Sequence, residues 1–372
     1  MTDRYIPSET TEIGEFSFFA DFENASDGFS VSHDEGVFSV EPYSWMHFGV
    51  DGVARHQPEF RTPRPDHVDE RRRLVWSADG EEWTYFDVGF GDGDWYYFHN
   101  EEPFSSDRLY VAGLFPYRNR DLESLLCQLR GHASISNLGP RGYSPDRRPI
   151  YGFEIGDSSV SNPAHNIVII AGQHAWEAWG RQVMHGLVTA AISDAPAASR
   201  LREQARLFVY PMANPDGIAR GHMRDGTADH NPNRAWFEDA PPAGEPSPVP
   251  EIDLLRQAIM RDTGGSATYL LDFHSHAGIY DRCMWYANAE DSDVNRLVEA
   301  IHEYDGTFHD DAIVGTHTVG SGGGSSPTGA RWAQSLGATG LTFEACPYNG
   351  PSRARYRDAG LAFVAGLADV LG

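Results

Sequence analysis

The stretch NIVIIAGQHAWEAWGRQVMHG, residues 166–186, sets a histidine and a glutamate three positions apart just after an apolar run. An imidazole nitrogen and a carboxylate oxygen both ligate divalent cations. Residues three apart meet on one face once the chain begins a helical turn. His174 and Glu177 thus read as two legs of a metal site. The same residues also read as the polar start of an amphipathic helix, and the pair alone does not separate the two. A second copy, His67-Val-Asp-Glu70, has no strand before it and arginines behind it, so it reads as solvated surface.

The elements that must position the pair favour the metal reading. NIVIIAG is a buried type of strand that ends at the pair. Three further strands end in chemistry-bearing residues. TYLLDFHSH delivers His274 and His276, and TGLTFEA delivers Glu344. ARLFVYPMANPDG runs on towards Arg220, Arg224, Asn233 and Arg234. Open α/β sheets bind ligands outside the carboxyl ends of their strands. A catalytic zinc takes three protein ligands and keeps a position for water.

Between these strands, helical spacing predicts helices over about 177–193, 251–262, 293–304 and 354–371, and Leu122, Leu125, Leu126 and Leu129 mark another. Strand–helix alternation predicts a central sheet covered by helices. The first hundred residues differ. FSFFADF, FSVSHD, VFSVEPY, RLVWSA and WTYFDVGF are short aromatic and β-branched runs broken by Gly, Asn, Asp and Pro, which predicts an antiparallel β-sandwich. The expected division is residues 1–108 for the sandwich and 109–372 for the α/β part. EDAPPAGEPSPVPE and VGSGGGSSPTG read as loops; the second lacks the Gly-Lys-Ser/Thr of a phosphate cradle.

Composition narrows the function class. The 372 residues carry 54 acidic and 29 basic side chains, a net charge of −25, and every basic residue is arginine. Nucleic acids and anionic membranes need clustered cations, so neither is an expected partner. Added carboxylates suit a protein kept soluble at high salt; a genomic drift towards arginine gives the same lysine-free set. The three cysteines, Cys127, Cys283 and Cys346, form no disulfide framework or metal knuckle and read as small buried apolar residues. No apolar run reaches the roughly 20 residues of a membrane span, and the polar N-terminus lacks a signal pattern. The expected location is the cytoplasm. Nothing in the sequence sets the oligomeric state.

In their order, the motifs GQHAWE, NPDGIARGHMRDGTADHNPNRAW, LLDFHSH and LTFEACPY resemble the zinc carboxypeptidase family. With LYVAGLFPYRNRDLESLL before them, they are most similar to its cytosolic carboxypeptidase branch, which carries a β-sandwich ahead of the catalytic domain. The resemblance covers most of residues 105–350 and implies an α/β/α domain with a mixed central sheet. It implies one zinc per chain, held by His174, Glu177 and His274, with Glu344 as general base. It implies Arg224, ahead of Arg220, as the oxyanion partner. Asn233 and Arg234 would grip the substrate's terminal carboxylate, a task suited to the planar guanidinium fork. Arg331, in SPTGARWAQ, either faces an acidic substrate side chain or is a surface arginine. His276 reads as a residue that backs the ligands or faces the substrate, Asp272 as a structural hydrogen-bonder, and His185 as packed or exposed rather than catalytic. Trp176, Trp179, Trp236 and Trp332 read as core or pocket wall.

Two positions depart from the family pattern. Asn231 stands where the family has an aspartate that accepts a hydrogen bond from a zinc-bound histidine; Asp229 is the alternative acceptor. His317 or Thr318 stands near the position of a family tyrosine. The expected activity is hydrolysis of the C-terminal peptide bond of peptides or proteins, with a preference for acidic ends. The alternatives are a zinc deacylase of N-acyl amino acids on the same scaffold and a non-catalytic peptide-binding homologue.

Overall fold

In the first strands, alternation of side chains decides the architecture. The computed structural model describes residues 10–20, 29–34, 36–42, 46–64, 74–222, 224, 230–236, 249–276, 283–288, 290–304, 327–346 and 352–372. The chain divides into two units, with the main boundary between Pro116 and Tyr117. The first unit holds β1 (Thr10–Ile13), β2 (Phe16–Ala20), β3 (Phe29–Asp34), β4 (Val37–Pro42), β5 (His47–Asp51) and β6 (Glu59–Pro63). It continues with β7 (Val75–Ser77), β8 (Thr84–Tyr85), β9 (Val88–Asp92), β10 (Trp95–His99) and β11 (Arg108–Ala112).

These strands form a six-stranded sheet, β1-β2-β5-β11-β7-β8, and a five-stranded sheet, β3-β4-β6-β10-β9. In β10, Tyr96 and Phe98 point inward while Trp95, Tyr97 and His99 are half-buried, the period of two that a half-solvated sheet imposes. Phe18, Phe48, Val50 and Val111 of one sheet share a core with Phe38, Val40, Phe60 and Phe98 of the other. Each such side chain, taken fully from water, contributes about 1.5–3 kcal/mol. The expected sandwich is therefore present, with one parallel pair, β4 and β6, among antiparallel neighbours. The run WTYFDVGF is divided: β8 lies in one sheet and β9 in the other. β11, of which residues 109–112 were expected at the start of the α/β part, hydrogen-bonds between β5 and β7 and lies in the first unit.

The elements that follow are α1 (Asn119–Leu129), β12 (Ile135–Tyr143), β13 (Pro149–Ile155), β14 (His165–Ala171), α2 (Ala178–Ala191), α3 (Pro196–Gln204), β15 (Ala205–Tyr210) and α4 (Pro215–Arg220). Then come α5 (Pro250–Asp262), β16 (Tyr269–Ser275), β17 (Met284–Tyr286), α6 (Ser292–Tyr304), α7 (Gly329–Trp332), β18 (Thr339–Ala345) and α8 (Arg353–Leu371). The seven-stranded sheet of the second unit runs β12-β13-β15-β14-β16-β18-β17. Its centre, β15-β14-β16-β18, is parallel, and both flanks are antiparallel. Val168, Ile170, Tyr210 and Leu270 face Ile252, Leu255 and Ile259 of α5. On the opposite face Phe273 meets Phe363 of α8, with ring centroids 5.0 Å apart. Helices cover both faces, so the central strands read as continuous apolar runs. All four α1 leucines are buried. This leaves Cys127 on the outer face of that helix, exposed, against the expectation of burial; Cys283 and Cys346 are buried.

Candidate metal centre

His174 and Glu177 sit in a turn between β14 and α2. Gly172, one residue past the strand, adopts φ +70, a conformation that favours glycine, and the chain swings out of the sheet plane. The Glu177 N–H then donates to the His174 carbonyl at 3.3 Å, closing the turn that aligns the two side chains. Arg181, fully buried in the first turns of α2, reaches back and donates to the carbonyls of His174 (3.1 Å) and Ala175 (2.7 Å). The pair is therefore both things its spacing allowed: a ligand pair in geometry and the entry to a helix.

The third member comes from the adjacent strand. β14 and β16 are parallel neighbours, so His274 arrives at the same end of the sheet. His174 Nδ1 lies 2.6 Å from one Glu177 oxygen, and His274 Nδ1 lies 2.7 Å from the other. The two Nδ1 atoms are 3.2 Å apart. The three ligand atoms lie within 4.8 Å of one another and all three residues are buried. Two imidazole nitrogens and one carboxylate are a donor set that suits zinc. Burial disfavours charge on His274, but Asp272 and Glu177 outweigh it and hold its pKa well above the usual value. Burial likewise opposes ionisation of Glu177, yet the two histidines draw its pKa well down. Both shifts express one mutual attraction between the carboxylates and the imidazoles; the fit to a cation rests on the donor set and its spacing. The residues present thus fit a divalent cation.

Behind the ligands lies a fixed layer of polar groups. Asp272 Oδ2 is 3.0 Å from His274 Nε2 and accepts from Gln173 Nε2 at 2.6 Å. Gln173 is held in turn by Trp236 Nε1, which donates to its Oε1 at 2.8 Å. Asn231 Oδ1 stands 2.9 Å from His174 Nε2. The Ser275 N–H donates to Glu177 at 3.0 Å, and Ser275 Oγ accepts from the Gly180 N–H at 2.8 Å. Gln173, Arg181 and Ser275 were not singled out by sequence reasoning. A buried glutamine, arginine or serine carries no local pattern that tells support from solvent exposure.

Glu344 is the residue of β18 directly opposite His274 in the parallel register. It is half-buried, and its Oε2 has no hydrogen-bond partner among the described residues. Burial, and then repulsion from Glu177, push its pKa up to about 8. Arg224 is exposed and pulls Glu344 in the other direction. Arg234 is also exposed, its pKa lowered by desolvation and then by Arg224, with Glu344 opposing. Glu344, Arg224 and Arg234 therefore share one electrostatic neighbourhood. Asn233 differs: its side chain turns inward, with Oδ1 accepting from the Gly329 N–H at 3.0 Å and Nδ2 3.2 Å from His274 Nε2. Arg331 is half-buried in α7, whose first residue, Gly329, lies against Trp236 and Asp272.

His185 packs inside α2 with Nδ1 3.1 Å from the Tyr117 hydroxyl, and His276 is buried just past β16. All four tryptophans named above are buried, and Trp236 and Trp332 lie 5.3 Å apart. His67–Glu70, Asp229, His317 and Thr318 lie outside the described residues.

The sequence profile of the zinc carboxypeptidase family matches residues 122–279. An uncharacterized protein of Zymomonas mobilis is 27% identical over 214 residues, 55% of this chain and 53% of its own. Human cytosolic carboxypeptidase 2 is 26% identical over 178 residues, 44% of this chain and 20% of its own. The chain thus spans about half the length of the first relative and a fifth of the second. The crystal structure of a metallo-carboxypeptidase from Burkholderia cenocepacia superposes with a TM-score of 0.81 at 18% identity, over 95% of this chain and 98% of that one. The zinc carboxypeptidase profile thus matches residues 122–279, the part of the chain that supplies His174, Glu177 and His274 of the buried centre.

Proposed function

We propose that this protein is a zinc-dependent carboxypeptidase that removes C-terminal residues from peptides or proteins, with one zinc per chain on His174, Glu177 and His274. The observation that carries the reading is the placement of those three residues at the ends of two adjacent parallel strands, with Glu344 across from His274 on the next. When bound, zinc supplies a Lewis acid that polarises the scissile carbonyl and makes water a nucleophile near neutral pH.

The remaining work falls to the chain's own side chains. Glu344, in its ionised form, takes the proton of the attacking water and later returns it to the leaving amine through Oε2, which has no hydrogen-bond partner among the described residues. Arg224 faces the developing oxyanion, where a fixed cation is worth more than in bulk water. Arg234 grips the terminal carboxylate of the substrate. Asn233 positions His274 and the start of α7, in keeping with its inward-turned side chain. Arg331, half-buried in α7, sets a preference for acidic C-terminal residues through its positive charge. The word cytosolic in the names of the relatives supports a cytoplasmic location. Among the described residues no helix is long and apolar enough to cross a membrane.

The test is a screen of peptides with varied C-terminal residues, run beside N-acyl amino acids, on protein whose zinc content has been measured. Free C-terminal residues should appear, and Glu344→Gln should reduce their release by about 100-fold or more with zinc retained. Cleavage of N-acyl amino acids alone would replace the peptidase reading with a deacylase. Arg331→Ala should erase a preference for acidic ends; an unchanged profile would remove that residue from the pocket.

A further inference from the structure

The two histidines of the centre are backed unequally. Behind His274 stands Asp272, a carboxylate with no solvent exposure, 3.0 Å from Nε2. Behind His174 the partner of Nε2 among the described residues is the Asn231 amide, 2.9 Å away, which carries no charge. The atom facing the ring is the amide oxygen, because it also accepts the Asn233 N–H at 3.0 Å and a backbone N–H needs an acceptor.

We infer that His174 is the weaker leg of the metal centre and that Asn231 is the positioning residue that sets how tightly a cation is held. The inference rests on the zinc reading above. An imidazole offers Nδ1 to a metal only while its proton sits on Nε2. Asn231 Oδ1 accepts that proton's hydrogen bond and so fixes both the tautomer and the ring plane of His174. It adds no negative charge behind the ring, whereas Asp272 places a carboxylate behind that of His274. The Asn231–Ala235 segment is one tight turn, with the Arg234 N–H donating to the Asn231 carbonyl at 3.0 Å. Arg234 also donates to the Asn233 carbonyl at 2.6 Å. One turn therefore holds the ring of His174, touches that of His274 and presents Arg234.

The test measures zinc affinity of the full chain by competition with a chelator of known affinity, for wild type, Asn231→Asp, Asn231→Ala and His174→Ala. Asp keeps both acceptor roles and adds a charge, so Asn231→Asp should bind zinc at least about 10-fold more tightly. Asn231→Ala frees the ring and should weaken binding by about 10- to 100-fold. Cobalt substituted for zinc should keep its visible spectrum in Asn231→Asp and change it in Asn231→Ala. Zinc bound equally well by wild type and both Asn231 variants would overturn the inference and leave the zinc reading standing. No zinc on the wild-type chain would overturn both. If Asn231→Ala does not fold, the comparison of wild type with Asn231→Asp decides alone.

Discussion

Gly180, in the first turn of α2, has no room for a side chain. A Cβ there would lie 2.4 Å from the His274 carbonyl oxygen, 2.8 Å from its carbon and 2.9 Å from its nitrogen. Ordinary contact begins near 3.4 Å, so helix and strand would have to part by about an ångström. Backbone on both sides cannot rotate away as a side chain would. Overpacking of this kind costs about 1–3 kcal/mol, and the rigid opposing strand puts Gly180→Ala near the top of that range. Replacing a helical glycine by alanine returns about 1 kcal/mol. The net expectation is a loss of about 2 kcal/mol, which lowers the Tm of a unit this size by roughly 4–8 °C. Zinc retention should fall as well, because the displaced backbone belongs to a proposed ligand. Gly139→Ala is the control, since nothing lies within 4 Å of its Cβ position. The assay is thermal unfolding of the three proteins in zinc-containing buffer, followed by chelator competition. A Gly180→Ala protein as stable as wild type would refute the seating of α2 on the backbone of His274.

Acid should destabilise the protein through His185. Burial, and then Arg357 and Arg353, bring its pKa down to about 3 from 6.5, so on acidification the unfolded chain takes up the proton first. Its contribution is complete above pH 6.5 and declines as pH falls towards 3, by about 2 kcal/mol between pH 6.5 and 5. Urea midpoints at pH 7 and 5 should converge in His185→Gln; an equal loss in both proteins would rule His185 out. Cys127 should react with a thiol reagent in the native protein while Cys283 and Cys346 stay protected until it unfolds, as mass spectrometry of labelled peptides would show.

Periodicity made most of the second unit legible. Helices expected at 251–262, 293–304 and 354–371 occur at Pro250–Asp262, Ser292–Tyr304 and Arg353–Leu371. Four apolar runs became the four parallel strands of the sheet centre. The hairpin of β12 and β13 was not anticipated, because ISNLGPRGY holds two glycines and a proline and its register is irregular. α3 was missed because PAASRLREQ offers only Ala198 and Leu201 to the core. At the site, the convergence of residues 174, 177 and 274, with 344 opposite 274, was legible because strands deliver them. The inward turn of Asn233 was not. Whether an amide faces a substrate or a neighbouring strand depends on contacts about 40 and 100 positions away, at His274 and Gly329.

The distance along the chain between the members of the centre has a consequence for how the protein is made. His174 and Glu177 are local, but His274 reaches them only after β14 and β16 have paired in register. An unfolded chain offers a cation only two of the three groups, so the ion binds the native state in preference and stabilises it by mass action. Metal uptake then reports that the central strands have found their register, and the apparent melting temperature should rise with free zinc. On the proposed zinc reading, a cell short of the ion would lose part of the protein's resistance to proteolysis along with the proposed chemistry.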